Sequence, residues 1–183
     1  PVETTNGSCV RAADFDKDGD LDLFVGGRVV SGAYPKTPES FILRNDKGKF
    51  TDVTDQVCPT LRHIGMITDA LWTDFNNDGK TDLLLAGEWL PLTFMQNNGT
   101  SFTIVTTTGT NQQRGWWNSL TSGDFDNDGD IDYIAGNLGE NSFYRASEQY
   151  PVRLYAKDFD KNEGFDAIPT LYLKDLDGSK KEF

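Results

Sequence analysis

One nine-residue pattern occurs four times and constrains everything around it. The first copy is Asp14-Phe15-Asp16-Lys17-Asp18-Gly19-Asp20-Leu21-Asp22, and the second is Asp74-Phe75-Asn76-Asn77-Asp78-Gly79-Lys80-Thr81-Asp82. The third is Asp124-Phe125-Asp126-Asn127-Asp128-Gly129-Asp130-Ile131-Asp132. A looser fourth runs Asp158-Phe159-Asp160-Lys161-Asn162-Glu163-Gly164-Phe165-Asp166. Side-chain oxygens fall at positions 1, 3, 5 and 9. Alternate residues of a tight loop point to one side, so positions 1, 3 and 5 converge. Gly at position 6 allows a sharp turn where a Cβ would clash.

Hard oxygen donors in this number suit Ca²⁺, which accepts about 6–8 oxygens at roughly 2.3–2.6 Å. The expected donors are Asp14, Asp16, Asp18, Asp20 and Asp22 in the first loop. Asp74, Asn76, Asp78, Lys80 and Asp82 serve the second, and Asp124, Asp126, Asp128, Asp130 and Asp132 the third. Asp158, Asp160, Asn162 and Asp166 belong to the fourth. Position 7 contributes its carbonyl, so Lys80 does not block the second site. Asn76 lowers that loop's charge, and a weaker site is expected there. In the fourth loop Glu163 stands at the Gly position, which leaves its geometry open. Without a cation, carboxylates this close repel, and some must take up protons or the loop must open.

The 183-residue chain has a formal charge of −12, which argues against binding nucleic-acid phosphates. More than half of its 29 acidic residues lie in the four loops. Four Ca²⁺ would bring the net charge to about −4, so metal sites account for most of the acidity. The length suits one domain with a substantial core, and 12 Phe, 6 Tyr and 4 Trp argue against disorder. No run of 18 apolar residues is present, so no membrane-spanning helix is expected. Cys9 and Cys58 are compatible with a disulfide or with two buried thiols, and with one His they make no convincing zinc site. The start at Pro1 reads as a processed protein or an excised fragment.

Each loop joins two short apolar runs, as a hairpin does. Residues 8–13 enter the first loop and 21–26 leave it; residues 40–44 and 49–53 form a second hairpin about a turn at 45–48. Met66 to Thr73, residues 82–87, 92–96 and 101–105 repeat this order. The third unit enters through residues 115–120 and leaves through 131–136, and the fourth enters through 152–157 and continues over 167–173. The loops begin at Asp14, Asp74, Asp124 and Asp158, intervals of 60, 50 and 34 residues. Repeats of this size, with four strands each, predict an all-β propeller of four-stranded antiparallel blades. The repeats span approximately residues 1–57, 58–110, 111–150 and 151–183, about three and a half blades. Leu83-Leu84-Leu85 fits a strand buried on both faces, and little helix is expected.

Position 12 of the pattern is Val25, Leu85 and Ala135, each inside a strand, which excludes an EF-hand with its bidentate Glu. The loops, followed by Asp22-Leu23-Phe24-Val25-Gly26-Gly27, Asp82-Leu83-Leu84-Leu85-Ala86-Gly87 and Asp132-Tyr133-Ile134-Ala135-Gly136-Asn137, resemble the FG-GAP or VCBS repeats of integrin α-subunit propellers. More narrowly, Gly115-Trp116-Trp117-Asn118-Ser119, residues 136–142 and Pro151-Val152-Arg153-Leu154-Tyr155 resemble bacterial extracytoplasmic VCBS-repeat proteins. Those are similar to the cartilage acidic protein group, often joined to an ASPIC/UnbV domain. The resemblance implies Ca²⁺ in each loop, a secreted, periplasmic or cell-surface location, and a seven-bladed parent of which this chain is a piece. Exposed terminal blades then imply self-association.

The leading functional expectation is a non-enzymatic binding or adhesion module for a protein or glycan. A polysaccharide lyase or hydrolase would need paired acids outside the loops. The non-loop acids Glu39, Asp69, Glu88, Glu140 and Glu148 are scattered, and Asp69 with Glu88 is the one pair worth testing. A structural segment of a larger surface protein is the third reading. His63 lies in a connection without a nucleophile pattern, and Trp89, Trp116 and Trp117 serve blade packing or a sugar platform.

Overall fold

Each acidic loop closes an antiparallel hairpin in the same register. A computed structural model describes residues 5–139 and 142–183. Strands β1 (Thr5–Ala13), β2 (Asp22–Val30), β3 (Phe41–Asp46) and β4 (Lys49–Asp52) form a four-stranded antiparallel sheet in sequence order. A second set follows: β5 (Met66–Thr73), β6 (Asp82–Pro91), β7 (Thr93–Asn97) and β8 (Phe102–Ile104). Then come β9 (Arg114–Gly123), β10 (Asp132–Asn137), β11 (Arg153–Lys157), β12 (Asp166–Thr170), β13 (Tyr172–Lys174) and β14 (Lys180–Glu182). The loops pair Ala13 with Asp22, Thr73 with Asp82, Gly123 with Asp132 and Lys157 with Asp166. Position 9 is therefore the first residue of the returning strand every time. Helix is confined, among the described residues, to α1 (Thr54–Val57) and the 3-10 turns Pro59–Leu61 and Thr110–Gln112.

Period-two alternation places the core. Leu83 and Leu85 point to one face of β6, where they join Phe15, Phe24, Ile42 and Val53 from the first unit and Leu61 from the start of the second. Leu84 and Ala86 point to the other face and meet Leu120, with Trp117 and Tyr133 partly buried alongside. The three leucines are at most 1% exposed, and each contributes about 1.5–3 kcal/mol of burial. The chain approaches itself closely both between the first two units and between β5 and β6 of the second. A Cβ on Gly26 would lie 2.8 Å from Ile67 Cγ2, and one on Gly87 would lie 2.5 Å from the Met66 carbonyl oxygen.

A β-bulge recurs at one position of the pattern. The register slips at Ser8 in β1, at Thr68 in β5 and at Asn118 in β9, always the sixth residue before the loop's first Asp. A bulge bends the strand and re-aims its side chains. Thr68 uses this to donate from its hydroxyl to the Trp117 carbonyl of the next unit, at 2.6 Å.

The later units depart from four-stranded blades. The third unit supplies two strands, and β9 pairs with the end of β6 at Glu88, Leu90 and Pro91, so both units share one six-stranded sheet. The cause lies at Trp89, whose φ of 60° skips a register step and turns the strand end toward β9. The fourth unit is two separate ribbons, β11–β12 and β13–β14. Among the described residues the sheets do not close into a ring. Phe125, Ile134, Tyr155 and Ile168 are about half exposed on these later strands. Cys9 and Cys58 are free thiols at the first core, and no helix is long and apolar enough to cross a membrane among the described residues.

Candidate metal centres

The four loops share one backbone, including features beyond the side-chain spacing. Position 4 is left-handed in each: Lys17, Asn77, Asn127 and Lys161 have φ of 63°, 55°, 64° and 64°. Position 6 is also left-handed, at Gly19 (96°), Gly79 (80°) and Gly129 (96°). Glu163 takes position 6 of the fourth loop at φ 68°, so that loop keeps the shape despite its missing glycine. Such a conformation is strained for a residue with a Cβ. The displaced Gly164 is position 7, and its N–H donates to Asn162 Oδ1 as in the other loops.

Two left-handed residues turn the backbone N–H groups inward onto the position 1 carboxylate. In the first loop Asp18 N–H donates to Asp14 Oδ1 (3.1 Å) and Gly19 N–H to Asp14 Oδ2 (3.0 Å). Asp74, Asp124 and Asp158 accept the equivalent pairs. Position 9 accepts from the amide of position 2: Phe15 N–H to Asp22 Oδ2, Phe125 N–H to Asp132 Oδ2, and Phe159 N–H to Asp166 Oδ2. Asp22 and Asp82 are fully buried and also accept from the following hairpins, through Asn45 N–H (2.8 Å) and Asn97 N–H (2.7 Å). Asp82 Oδ2 has no hydrogen-bond partner among the described residues.

These frames bring oxygens together. One oxygen each from Asp14, Asp16 and Asp18 lies within 4.8 Å of the others. The same holds for Asp124, Asp126 and Asp132, and for Asp158, Asp160 and Asp166. Two oxygens on one Ca²⁺ at about 2.4 Å can be no more than about 4.8 Å apart, so the three clusters fit a hard cation. The second loop differs. Asn76 Nδ2 donates to Asp78 Oδ2, and Lys80 Nζ pairs with the same oxygen at 2.9 Å. This ammonium already neutralises part of the site and holds the Asp78 carboxyl below its ordinary pKa. The position 7 carboxylates point away. Asp20 Oδ2 accepts Lys47 N–H, and Asp130 Oδ1 accepts from Asn77 Nδ2, so one carboxylate oxygen of each is held outside its own loop, and the position 7 carbonyl is the donor expected for an ion.

Charge in the loops is under stress. Burial, reinforced by the neighbouring Asp18 charge, raises the Asp16 pKa. Burial also raises Asp22 and Asp82, offset in part by the Asn45 and Phe15 amides at the former and the Asn97 amide at the latter. The loops are tied to one another as well. Asn97 Nδ2 donates to the Phe15 carbonyl (2.9 Å), and Thr81 Oγ1 to the Asp14 carbonyl (3.3 Å). Position 2 aromatics reach the next unit: Phe15 stacks on Trp72 at 6.2 Å and meets Phe102 at 5.7 Å.

The acids outside the loops are bound elsewhere. Asp69 accepts from Arg11 and Ala70 N–H on one oxygen and from Leu120 N–H (2.8 Å) on the other, which clasps three units together. Glu88 pairs with Arg28 at 2.6 Å and accepts from Tyr34. Each thus has its own arginine, and they do not form an acid–base pair. Glu39 faces His63 and Arg62, while Glu140, with Asn141 of the 136–142 stretch, lies outside the described residues. His63 is an exposed connecting residue. A cleft of about 1090 Å³ opens where Trp89, Trp116, Trp117 and Tyr144 gather. Trp116 packs edge-on against Trp89 and Tyr144, each at 5.4 Å, so the tryptophans pack between strands and line a cavity at once.

Residues 74–135 match the family model described as FG-GAP-like repeat. This segment is an FG-GAP-like repeat. The matched FG-GAP segment opens on the first Asp of the second loop and ends inside β10, so it takes in the second and third loops with every strand between them. A search of curated proteins gave no match. Sequence reasoning missed the left-handed position 4 of the FG-GAP loops, although Asn at two of the four positions was a signal for it. It also missed Asp69 as a clasp, which a lone acid within the apolar stretch Met66-Ile67-Thr68-Asp69-Ala70-Leu71 could have flagged.

Proposed function

We propose that this FG-GAP-repeat chain is a calcium-rigidified, non-enzymatic binding module of a bacterial extracytoplasmic protein. Its ligand is a protein or a glycan. The observation that carries the reading is the identical loop backbone, which holds three acidic clusters within 4.8 Å. A cation there relieves the repulsion and burial that raise Asp16. Sites in the first and third loops are strongest, the fourth has the same frame, and Lys80 weakens the second. An extracytoplasmic setting supplies Ca²⁺ at the level that sites of about 10⁻⁴–10⁻³ M affinity require. Bound acids at Asp69 and Glu88 favour binding over catalysis. The seven-bladed parent and self-association through the half-exposed later strands belong to the same proposal.

Thermal melting in millimolar CaCl₂ and in excess EGTA tests it. Millimolar Ca²⁺ is about 1–10 times such dissociation constants and adds roughly 0.4–1.4 kcal/mol per independent site. The expected result is a melting temperature raised by several degrees, with a smaller rise for Asp126→Ala. Superimposed curves in CaCl₂ and EGTA would overturn the reading.

A further inference from the structure

We propose that the cleft between β6, β9 and the 144–154 segment binds an uncharged oligosaccharide. This deepens the binding-module reading and rests on it. The cleft holds about 1090 Å³, just above the roughly 300–1,000 Å³ range of small-molecule sites, which suits several sugar rings rather than one. Its floor is aromatic. Trp89 and Trp116 meet edge-on at 5.4 Å, and Tyr144 extends the row beyond Trp116. Staggered rings of this kind offer faces to the C–H side of pyranose units. Its rim carries polar groups suited to hydroxyls. Gln112 and Gln113 line the cleft, and their side-chain amides make no hydrogen bond among the described residues. Glu148, also on the rim, is exposed.

Two further observations point to a ligand. Trp89 holds φ at 60°, a conformation that a bulky residue adopts only at a cost of about 1–3 kcal/mol. The strand end could turn with a glycine, yet this position carries the largest side chain and displays it at the cleft. The Trp116 indole N–H is shielded and has no hydrogen-bond partner among the described residues, an incomplete network beside the cavity. The charged residues lining the cleft are Glu148, a single Arg114 and Glu88, which is already paired with Arg28. The cleft therefore has no excess of positive charge to hold a sulfated or uronic chain, and the occupant is uncharged.

The experiment screens the Ca²⁺-loaded chain on an array of neutral glycans, then titrates the strongest oligosaccharide by calorimetry and tryptophan fluorescence. Saturable binding is expected. Trp89→Gly keeps the left-handed backbone and removes the ring, and should weaken binding roughly tenfold, as loss of one stacking contact does. Gln113→Ala, on an exposed residue, should weaken it about fivefold without shifting the melting temperature. No binding to any neutral glycan overturns the proposal, and so does binding that both variants leave unchanged. The two readings fail separately. Stabilisation by Ca²⁺ without glycan binding removes only the cleft proposal. Glycan binding by a chain indifferent to Ca²⁺ removes only the metal reading.

Discussion

Replacing Asp69 with alanine tests whether the repeats are held together by a buried carboxylate. Asp69 stands just after the β5 bulge, 8% exposed, and receives donors from three units. Its removal leaves the Leu120 N–H, in a residue 9% exposed, without an acceptor. A stranded buried donor costs about 1–3 kcal/mol. The Arg11 ion pair adds less, because the arginine side chain is 41% exposed and rehydrates, so at most about 1 kcal/mol is assigned to it. The total is about 1–4 kcal/mol, a fall of roughly 2–16 °C in melting temperature for a chain of this size. Asp69→Asn keeps one acceptor for Leu120 and should lose only about half as much. Urea denaturation of both variants, followed by tryptophan fluorescence, gives the free energies. A change below about 0.5 kcal/mol in Asp69→Ala, the range of ordinary surface substitutions, would refute the clasp.

Other perturbations have equally definite outcomes. Glu163→Gly should raise stability by about 1 kcal/mol, because it frees a left-handed position of its Cβ, and a thermal melt in EGTA reads this without metal effects. Asp52 is pushed up by burial, but the Thr54 hydroxyl and amide and the Arg62 guanidinium outweigh this and hold it below its ordinary pKa. Arg62 likewise lowers Asp55. A depressed carboxylate contributes stability that is complete above its unfolded pKa, about 3.9, and disappears as pH falls through the folded value. Arg62→Ala should therefore flatten the stability profile below about pH 4. Asp16, Asp22 and Asp82 have the opposite sign, since their folded pKa values are raised. The metal-free chain should gain stability from these groups as pH falls through their folded values toward about 3.9, whereas the Ca²⁺-loaded chain should lose it as protons displace the ion. Denaturant titrations at stepped pH, with and without Ca²⁺, separate the two slopes.

The sequence carried the hairpins because their signals are local. β5 begins at Met66 and ends at Thr73 as the apolar pattern predicts, since the acidic loop fixes its end. Leu83 to Leu85 announced a strand covered on both faces because no polar residue interrupts it. The oxygen donors were legible for the same reason, with positions 1, 3 and 9 converging in two loops and 1, 3 and 5 in another. What was not legible depends on distant partners. Nothing near Glu88 shows that Trp89 will turn left-handed and send the strand end to Arg114. Position 7 read as a carbonyl donor, but the partners that one carboxylate oxygen each of Asp20 and Asp130 finds, Lys47 N–H and Asn77 Nδ2, are remote in sequence. Asp69 read as a catalytic candidate because its Arg11 partner lies in another repeat.

Anomalous diffraction from crystals grown in calcium chloride tests the central claim most directly. The account predicts peaks inside the loops that begin at Asp14, Asp124 and Asp158, each bounded by the oxygens of positions 1, 3, 5 and 9 and the carbonyl of position 7. It predicts a weaker peak beside Lys80. Loops that retain this backbone and hold only water in that buffer would contradict it.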